Sequence, residues 1–173
     1  MAGSLIKIDE EIVTSAVASV TLGGANWDSS YDVYMVRINN VTGATDGAYV
    51  RTRFTVSGSA DTSSNYDRAA KELKANATFG NSAQTNQDGF NFVTTGNGTS
   101  ETSQIVFYLF NFNNASEYSF ATFEEATFDS TNVLKGRQGG GVLTVAQATD
   151  GINFFMSSGN ISSGSFVLYG LKK

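Results

Sequence analysis

The amino-acid sequence predicts an all-β protein, folded as one antiparallel, jelly-roll-like β-sandwich, and three observations lead to this prediction. Apolar and polar residues alternate with a period of two along several short segments, as they do in strands with one buried face. Ser, Thr, Asn and Gly make up 71 of the 173 residues, and these types favour turns and exposed strand faces over helix interiors. Glycine-containing turn signals separate the segments at short intervals.

The clearest strand is 49–56, where alternate residues from Val50 to Val56 share one face. The segment 103–112 is apolar on both faces, so we expect it to lie centrally in a sheet or to place one face against a partner. Eight segments in all are predicted to be strands: 13–22, 31–39, 49–56, 103–112, 117–128, 142–146, 151–156 and 164–171.

Residues 66–75 depart from this pattern. Two pairs of opposite charges stand four residues apart there, which favours a short helix with Asn65 as its N-cap. The alternative is an edge strand whose charges discourage aggregation. The helix is the preferred interpretation.

The remaining segments are assigned from composition. Residues 1–11 are predicted to form an N-terminal arm, which leaves 12–173 as a single sandwich domain. Residues 80–91 are rich in Asn, Gln and Ser and are expected to be an exposed loop, while Gly139–Gly141 is expected to be a flexible turn.

The composition argues against several classes of function. A net charge of −5 with scattered Lys and Arg predicts no nucleic-acid partner, and the isolated pair Arg51 and Arg53 is interpreted as a solvated strand face. The absence of His and Cys removes the commonest general base, metal ligand and thiolate. No apolar run reaches the roughly 20 residues of a membrane span, and no secretory signal is visible. We therefore expect a soluble protein made in the cytoplasm, with no cofactor and no membrane partner.

The most visible acidic pair is Glu124 and Glu125. Neighbours in a strand point to opposite faces, so these two carboxylates cannot act together on one substrate. We interpret them as solvated carboxylates and predict no catalytic residues.

One spacing resembles a calcium loop. Side-chain oxygens stand at positions 1, 3, 5, 7 and 12 of the run that begins at residue 61, as in an EF-hand. The sixth position is Tyr instead of the Gly that gives such a loop its sharp turn, and no strong entering helix precedes it. Chance spacing is the favoured interpretation, so no metal is predicted; the candidate ligands are Asp61, Ser63, Asn65, Asp67 and Glu72.

Two sets of aromatic residues are candidate contacts. Trp27 and Tyr31 are the predicted ligand contacts, since Trp27 stands in a polar setting; the alternative for Trp27 is packing at the edge of the core. Tyr108, Phe110 and Phe112, from the segment with two apolar faces, are the predicted oligomer interface.

The segment Ser157–Gly170 (Ser-Ser-Gly-Asn-Ile-Ser-Ser-Gly-Ser-Phe-Val-Leu-Tyr-Gly) resembles the ending of small tail, fibre and capsid-surface proteins of bacteriophages, marine and cyanobacterial phages especially. Tyr31–Tyr34, Ser63–Tyr66 and Phe107–Asn111 extend the resemblance over most of the chain. Relatives often carry Pro where this chain has Phe112. The resemblance implies a jelly-roll-like sandwich, assembled as a homotrimer on a virion.

The first functional hypothesis is therefore a non-enzymatic capsid decoration (cement) protein, whose partners are further copies of itself and the major capsid protein. The alternative is a tail or fibre protein, bound to other tail proteins, that recognises a host surface glycan or protein. Trp27 and the region 80–98 would then supply contacts. A carbohydrate-active enzyme is the weakest of the three hypotheses.

Overall fold

The computed structural model describes residues 4–172. Polar and apolar residues alternate along most of this length, and the chain forms strands that bury one face. A 3-10 turn at Gly24–Asn26 is the one helical element in the described part. The strands are β1 Ser4–Val13, β2 Ser19–Gly23, β3 Val33–Gly43, β4 Tyr49–Val56, β5 Ser59–Ala60, β6 Tyr66–Lys74, β7 Gly80–Gln87, β8 Phe90–Thr94, β9 Ser103–Phe110, β10 Ser119–Phe128, β11 Leu134–Leu143, β12 Gly151–Met156 and β13 Ile161–Lys172.

The strands form two antiparallel sheets packed face to face. The larger sheet has the order β1-β13-β3-β9-β10-β11-β6-β7, and the smaller has the order β2-β12-β4-β5, with β8 also paired to β4. The chain changes sheet repeatedly as it proceeds from β1 to β13. The predicted antiparallel β-sandwich is confirmed.

The core lies between the sheets and is built largely from aromatic rings. Phe107 of the larger sheet lies 5.8 Å from Phe154 of the smaller sheet, measured between ring centroids, and Phe154 lies 5.5 Å from Phe166. All three side chains are fully buried. Burial of such large rings supplies much of the free energy that holds the two sheets together.

Several predicted strands have the predicted bounds. Residues 49–56 and 151–156 match β4 and β12, and 103–112 ends two residues early, as β9, at Phe110. The central position predicted for this segment is also confirmed, because β9 lies between β3 and β10.

The helix predicted for 66–75 is wrong, because this segment is β6. It pairs with β11 on one side and β7 on the other, so it is not an edge strand either. Gly139 of β11 permits the close approach of β6, since a Cβ there would stand 2.3 Å from the carbonyl oxygen of Ala69. Pairing on both sides satisfies the backbone of β6 and outweighs the local charge pairs that favour a helix.

The arm predicted for 1–11 is wrong for its described residues. Ser4–Val13 forms β1 and pairs along its length with β13, which covers backbone groups that would otherwise be unpaired at the sheet edge. Residues 1–3 lie outside the described part. The strand predicted at 13–22 divides between the end of β1 and β2, Ser19–Gly23.

Two further segments are strands where turns or loops were predicted. The polar stretch 80–91 contains β7, at the edge of the larger sheet, and the start of β8; its polar side chains suit a solvated edge strand. Gly139–Gly141 lies inside β11, which begins at Leu134, well before the predicted start at residue 142. Because glycine has no side chain, this part of β11 leaves room for a ring. A Cβ at Gly141 would stand 2.4 Å from the Phe90 ring.

Candidate functional site

Trp27, a predicted ligand contact, packs at the edge of the core. Its ring centroid lies 4.0 Å from that of Tyr34 and 5.4 Å from that of Phe112. Its Nε1–H donates a hydrogen bond to the side-chain oxygen of Asn113. Since the ring is packed and its polar atom is satisfied, the arrangement favours the packing interpretation over ligand contact.

Tyr31, the other predicted contact, lines an open depression of about 520 Å³ with Asp28 and Lys172. Its ring lies directly over Gly170, where a Cβ would stand 2.3 Å from the Tyr31 ring. The contact between ring and backbone requires glycine at this position. Tyr31 therefore packs against the end of β13 and also borders the depression.

The three residues of the predicted interface have different surroundings. Tyr108 is 40% exposed and Phe110 is half-buried, both on the outer face of the larger sheet, the side turned away from the smaller sheet. Phe112 is only 6% exposed and lies 4.8 Å from Phe54 within the core. The prediction for Phe112 is wrong, because β9 ends at Phe110 and Asn111 adopts a positive φ of 60°, which breaks the alternation.

Cross-strand pairing places Tyr108 in a row that we call the tyrosine row. It pairs with Met35 on one side and Thr122 on the other. The row continues through registered pairs on the outer face and comprises Tyr169, Met35, Tyr108, Thr122, Gly140 and Ala69. Its β13-β3-β9 half carries bulky side chains, and its β10-β11-β6 half carries small ones.

A second apolar row lies beside the first. Phe110 pairs with Val33 and Phe120, and Phe120 pairs with Val142. Phe120 is 43% exposed. Tyr108 stands between two hollows, of about 310 Å³ towards Met35 and about 350 Å³ towards Thr122. The outer face therefore combines exposed apolar rings with adjacent recesses.

Charges on the outer face alternate in sign beyond the tyrosine row. Registered pairs connect Glu10, Arg37, Glu124 and Lys71 across the sheet, through Val167, Val106 and Gln138. A face with both signs in regular order can meet opposite charges on a neighbouring surface.

The structure does not bring the five calcium candidates together. Asp67 and Glu72 lie in one strand, five residues apart and on opposite faces, about 16 Å along the strand. Asp61 instead accepts hydrogen bonds from Ser63 N–H and the Gln147 side chain. The backbone carbonyl of Asn65 accepts from Thr144. Within residues 4–172, no group of three or more acidic side chains is placed to hold a metal ion.

A polar groove, which sequence reasoning missed, opens between the sheets. The larger sheet extends beyond the smaller one at β11, β6 and β7, and β8 forms the facing wall. The resulting inter-sheet groove has a volume of about 400 Å³. The residues that line it and bear on its chemistry are Tyr49, Arg68, Glu72, Gln84, Asn91 and Arg137.

Arg68 is held at the floor of the inter-sheet groove and is only 4% exposed. Its Nε–H donates to Gln84 Oε1 at 3.1 Å and its Nη2–H to Ser82 Oγ at 3.0 Å. Its Nη1 has no hydrogen-bond acceptor among the described residues. Burial, together with the neighbouring Arg137, lowers the pKa of Arg68 to about 10, so it is still a cation at neutral pH.

Arg137 lines the same groove as Arg68 and is only partly compensated. Its Nη1–H donates to the Asn91 carbonyl at 3.2 Å, and its Nη2 lies 3.4 Å from Glu72 Oε2. Its Nε is buried and lacks an acceptor in the described chain. Lys135, at the rim, is paired with Asp129.

Glu125 lies behind the two arginines, on the inner face. It is 6% exposed, whereas its neighbour Glu124 is exposed, which confirms that the two carboxylates point to opposite faces; the interpretation of Glu125 as solvated is wrong. Burial raises the pKa of Glu125 to about 8, against the opposing effects of the Val93 N–H and of Arg137. At neutral pH it is therefore largely protonated and does little to neutralise Arg68.

Arg51 and Arg53 do not form a bare solvated face as predicted. Both guanidinium groups pair with Asp88, and both lie over the Phe155 ring, at 5.1 and 4.4 Å from its centroid. The pair is thus engaged within the protein.

The groove residues were missed because the helix interpretation of 66–75 hid their alternation. As a strand, Arg68, Ala70 and Glu72 share the inner face. An arginine at a nominally buried strand position is the one signal in the sequence that points to a polar interior.

No helix in the described chain has the length and apolarity needed to cross a membrane.

Comparison with known proteins gives no match to a family model, to a curated protein or to a solved structure.

Proposed function

We propose that this chain is a non-enzymatic structural protein of a bacteriophage particle, a capsid decoration protein that assembles on the exterior as a trimer of identical copies. The observation that carries the proposal is the outer face of the larger sheet, with its exposed apolar rows. Contiguous exposed apolar surface commonly marks an interaction site.

A second copy of the chain fits this face better than an unrelated partner does. A face that carries both a bulky and a small region can complement the same face of another copy. The tyrosine row carries both regions, since Tyr108 and Met35 of one copy can fill the recess at Thr122 and Gly139 of another. The alternating charges next to that row add electrostatic complementarity.

The polar surface composition also supports a structural role. The chain contains no His or Cys and is rich in Ser, Thr and Asn. Hydroxyl and amide groups keep a surface hydrated without nucleophilic thiols or imidazoles. Measurable turnover of a polysaccharide by the purified protein, abolished by one carboxylate substitution, would contradict the non-enzymatic part of the proposal.

Light scattering of the purified protein tests the assembly. We expect the mass of three chains for the wild type and of one chain for Tyr108→Glu, because a carboxylate in the tyrosine row would be buried unpaired at the interface. Phe79→Glu is the matched control. Phe79 is 68% exposed, in the turn between β6 and β7, so this variant stays trimeric. A monomeric wild type at micromolar concentration would overturn the assembly, and a dimer would overturn the copy number.

A receptor-binding protein on a tail or fibre is the second candidate, and the inter-sheet groove favours it, since a polar recess on a surface domain is suited to a small ligand. Antibody labelling in negative-stain images of the particle separates the two. Label distributed over the head supports the decoration protein, whereas label on the tail supports the receptor-binding protein.

A further inference from the structure

The inter-sheet groove has an excess of positive charge that the protein leaves uncompensated. Three cations, Arg68, Arg137 and Lys135, line it together with a single carboxylate, Glu72, counted over its described lining. Glu72 is shared between Arg137 at 3.4 Å and Lys74 at 3.2 Å, and Lys135 pairs with Asp129. Arg68 is left without a carboxylate partner within hydrogen-bond distance among the residues described.

A buried arginine without an ion-pair partner, such as Arg68, is unusual in a folded protein. A guanidinium group carries five N–H donors and is costly to bury unless it is paired. Arg68 is 96% removed from solvent, and two of its nitrogens donate to the neutral side chains of Gln84 and Ser82. The Nη1 donor is unmatched, and the guanidinium group has no ion-pair partner among the described residues. A bound anion would supply the acceptor that the chain does not.

The unmatched donors of the groove select an oxyanion. Arg68 Nη1 and Arg137 Nε are both unmatched, and guanidinium groups pair most strongly with carboxylates and phosphates through parallel hydrogen bonds. The pKa of Glu125, raised by its burial, keeps that side chain from serving as an internal counterion at neutral pH. An anion from outside the chain would supply the missing counterion.

The rest of the groove is built for a ligand with hydroxyl groups. Gln84 uses its side-chain oxygen to accept from Arg68, so its amide NH₂ group is left as a donor, and Asn91 turns its backbone carbonyl towards Arg137. Tyr49 and Thr94 border the groove on the side of the smaller sheet. An aromatic ring next to amide and hydroxyl groups is suited to the mixed apolar and hydroxylated faces of a sugar.

We propose that the inter-sheet groove binds a saccharide that carries a carboxylate, with the carboxylate held by Arg68 and Arg137 and the hydroxyl groups held by the Gln84 side chain and the Asn91 backbone carbonyl. The volume of about 400 Å³ lies at the lower end of the range for small-molecule sites, so one or two sugar rings are accommodated. Binding requires a small rotation of the Arg68 guanidinium towards the groove. This inference is independent of whether the chain sits on the head or the tail.

Titration calorimetry of the full-length protein tests the proposal with three probes: methyl glucuronide, methyl glucoside and sodium sulfate. The glucuronide and glucoside differ only in the carboxylate, so we expect at least tenfold weaker binding of the glucoside. Sulfate distinguishes a saccharide site from a site for any oxyanion. If sulfate binds and the glucuronide does not, the saccharide is overturned; if neither binds, the site is overturned.

Variants locate the binding. Arg137→Gln removes one of the two clamping cations and should weaken glucuronide binding at least tenfold. Arg37→Gln is the matched control, because Arg37 lies on the outer face, away from the groove, and it should bind as the wild type does. Equal weakening by both substitutions would reduce the effect to net charge and overturn the groove as the site.

A second readout does not depend on the folding of a variant. In the NMR spectrum of the wild type, the side-chain NH₂ resonances of Gln84 should shift on addition of glucuronide, while those of Gln104, on the outer face of the larger sheet, should not. If glucuronide saturates the protein and the Gln84 NH₂ resonances do not shift, the proposed placement is contradicted.

Discussion

The inner face of the larger sheet differs between its two ends, although the same alternation of residues builds both. At the β13-β3-β9 end, the inward positions carry Phe166 and Phe107, fully buried beneath the smaller sheet. At the β11-β6-β7 end, inward positions carry Arg137, Arg68 and Gln84, which face the inter-sheet groove. Alternation decides which residues point inward, and the extent of the opposite sheet decides whether inward means apolar core or polar groove.

The boundary between the two ends lies at β8 and the glycine run of β11. Phe90 rests on Gly141 and closes the aromatic core on that side. Immediately beyond it, Val93 N–H binds the buried Glu125 carboxyl group at 2.9 Å. The transition from rings to charged groups thus takes place across a single short strand.

The largest effect is expected at the aromatic end. Phe107→Ala should lower the free energy of unfolding by about 3–5 kcal/mol, because it removes a fully buried ring and leaves a cavity. Urea denaturation followed by circular dichroism measures this loss. The control is Phe79→Ala, the same change at a ring that is 68% exposed, which should alter stability by less than about 0.5 kcal/mol. Similar losses of unfolding free energy in both variants would contradict the expected difference between a buried and an exposed ring.

A pH-dependent effect is expected behind the inter-sheet groove. Burial raises the pKa of Glu125 from 4.5 to about 8, so between these values the native state holds a proton that the unfolded chain has released. Stability therefore falls as the pH rises through this window. Glu125→Gln keeps an acceptor for Val93 N–H but cannot ionise, and we expect its advantage in stability over the wild type to grow by roughly 4 kcal/mol between pH 5 and pH 9.

Denaturation midpoints at pH 5, 7 and 9 provide the measurement for Glu125. Glu124→Gln is the adjacent control, since Glu124 is exposed on the other face of the same strand, and its stability should follow that of the wild type at every pH. If the wild type gains stability between pH 5 and pH 9 and Glu125→Gln does not, the raised pKa of Glu125 is contradicted.

The smallest effect is expected at the rim of the same end. Burial of Asp129 opposes its ionisation, but donors from Lys135, Thr131 and Val133 prevail and lower its pKa from 3.8 to about 2. This carboxylate stabilises the fold above pH 4, and the contribution is lost as the pH falls towards 2. Asp129→Asn should cost roughly 2 kcal/mol at pH 7, measured by thermal unfolding.

The control for Asp129 is Asp46→Asn, at an exposed position in the turn between β3 and β4. It should leave both the stability at pH 7 and the loss between pH 4 and pH 2 unchanged. An Asp129→Asn protein that still loses the same stability in this acid window would show that other carboxylates are responsible.

Much of the sandwich could be predicted from alternation, and the failures have a common cause. The strand from Tyr49 to Val56 was predicted correctly because one of its faces is apolar except at Thr52. The strand at 66–75 was not, because its inner face carries Arg68 and Glu72 and local charge spacing is equally compatible with a helix. Because this strand was not predicted, the groove residues on it were not predicted either. No short-range pattern shows which inward-facing positions the opposite sheet leaves uncovered.

The sequence by itself determined the all-β class, the central place of β9 and the opposite orientations of Glu124 and Glu125, because a period of two depends only on neighbours along the chain. Tertiary structure alone decided that Gly139 lies in a strand, that Phe112 turns into the core and that Arg68 faces a groove. Each of these depends on contacts between residues distant in sequence: β6 against β11, Phe54 against Phe112, and β8 across from β6. Local propensity carries no information about such contacts, so it cannot anticipate them.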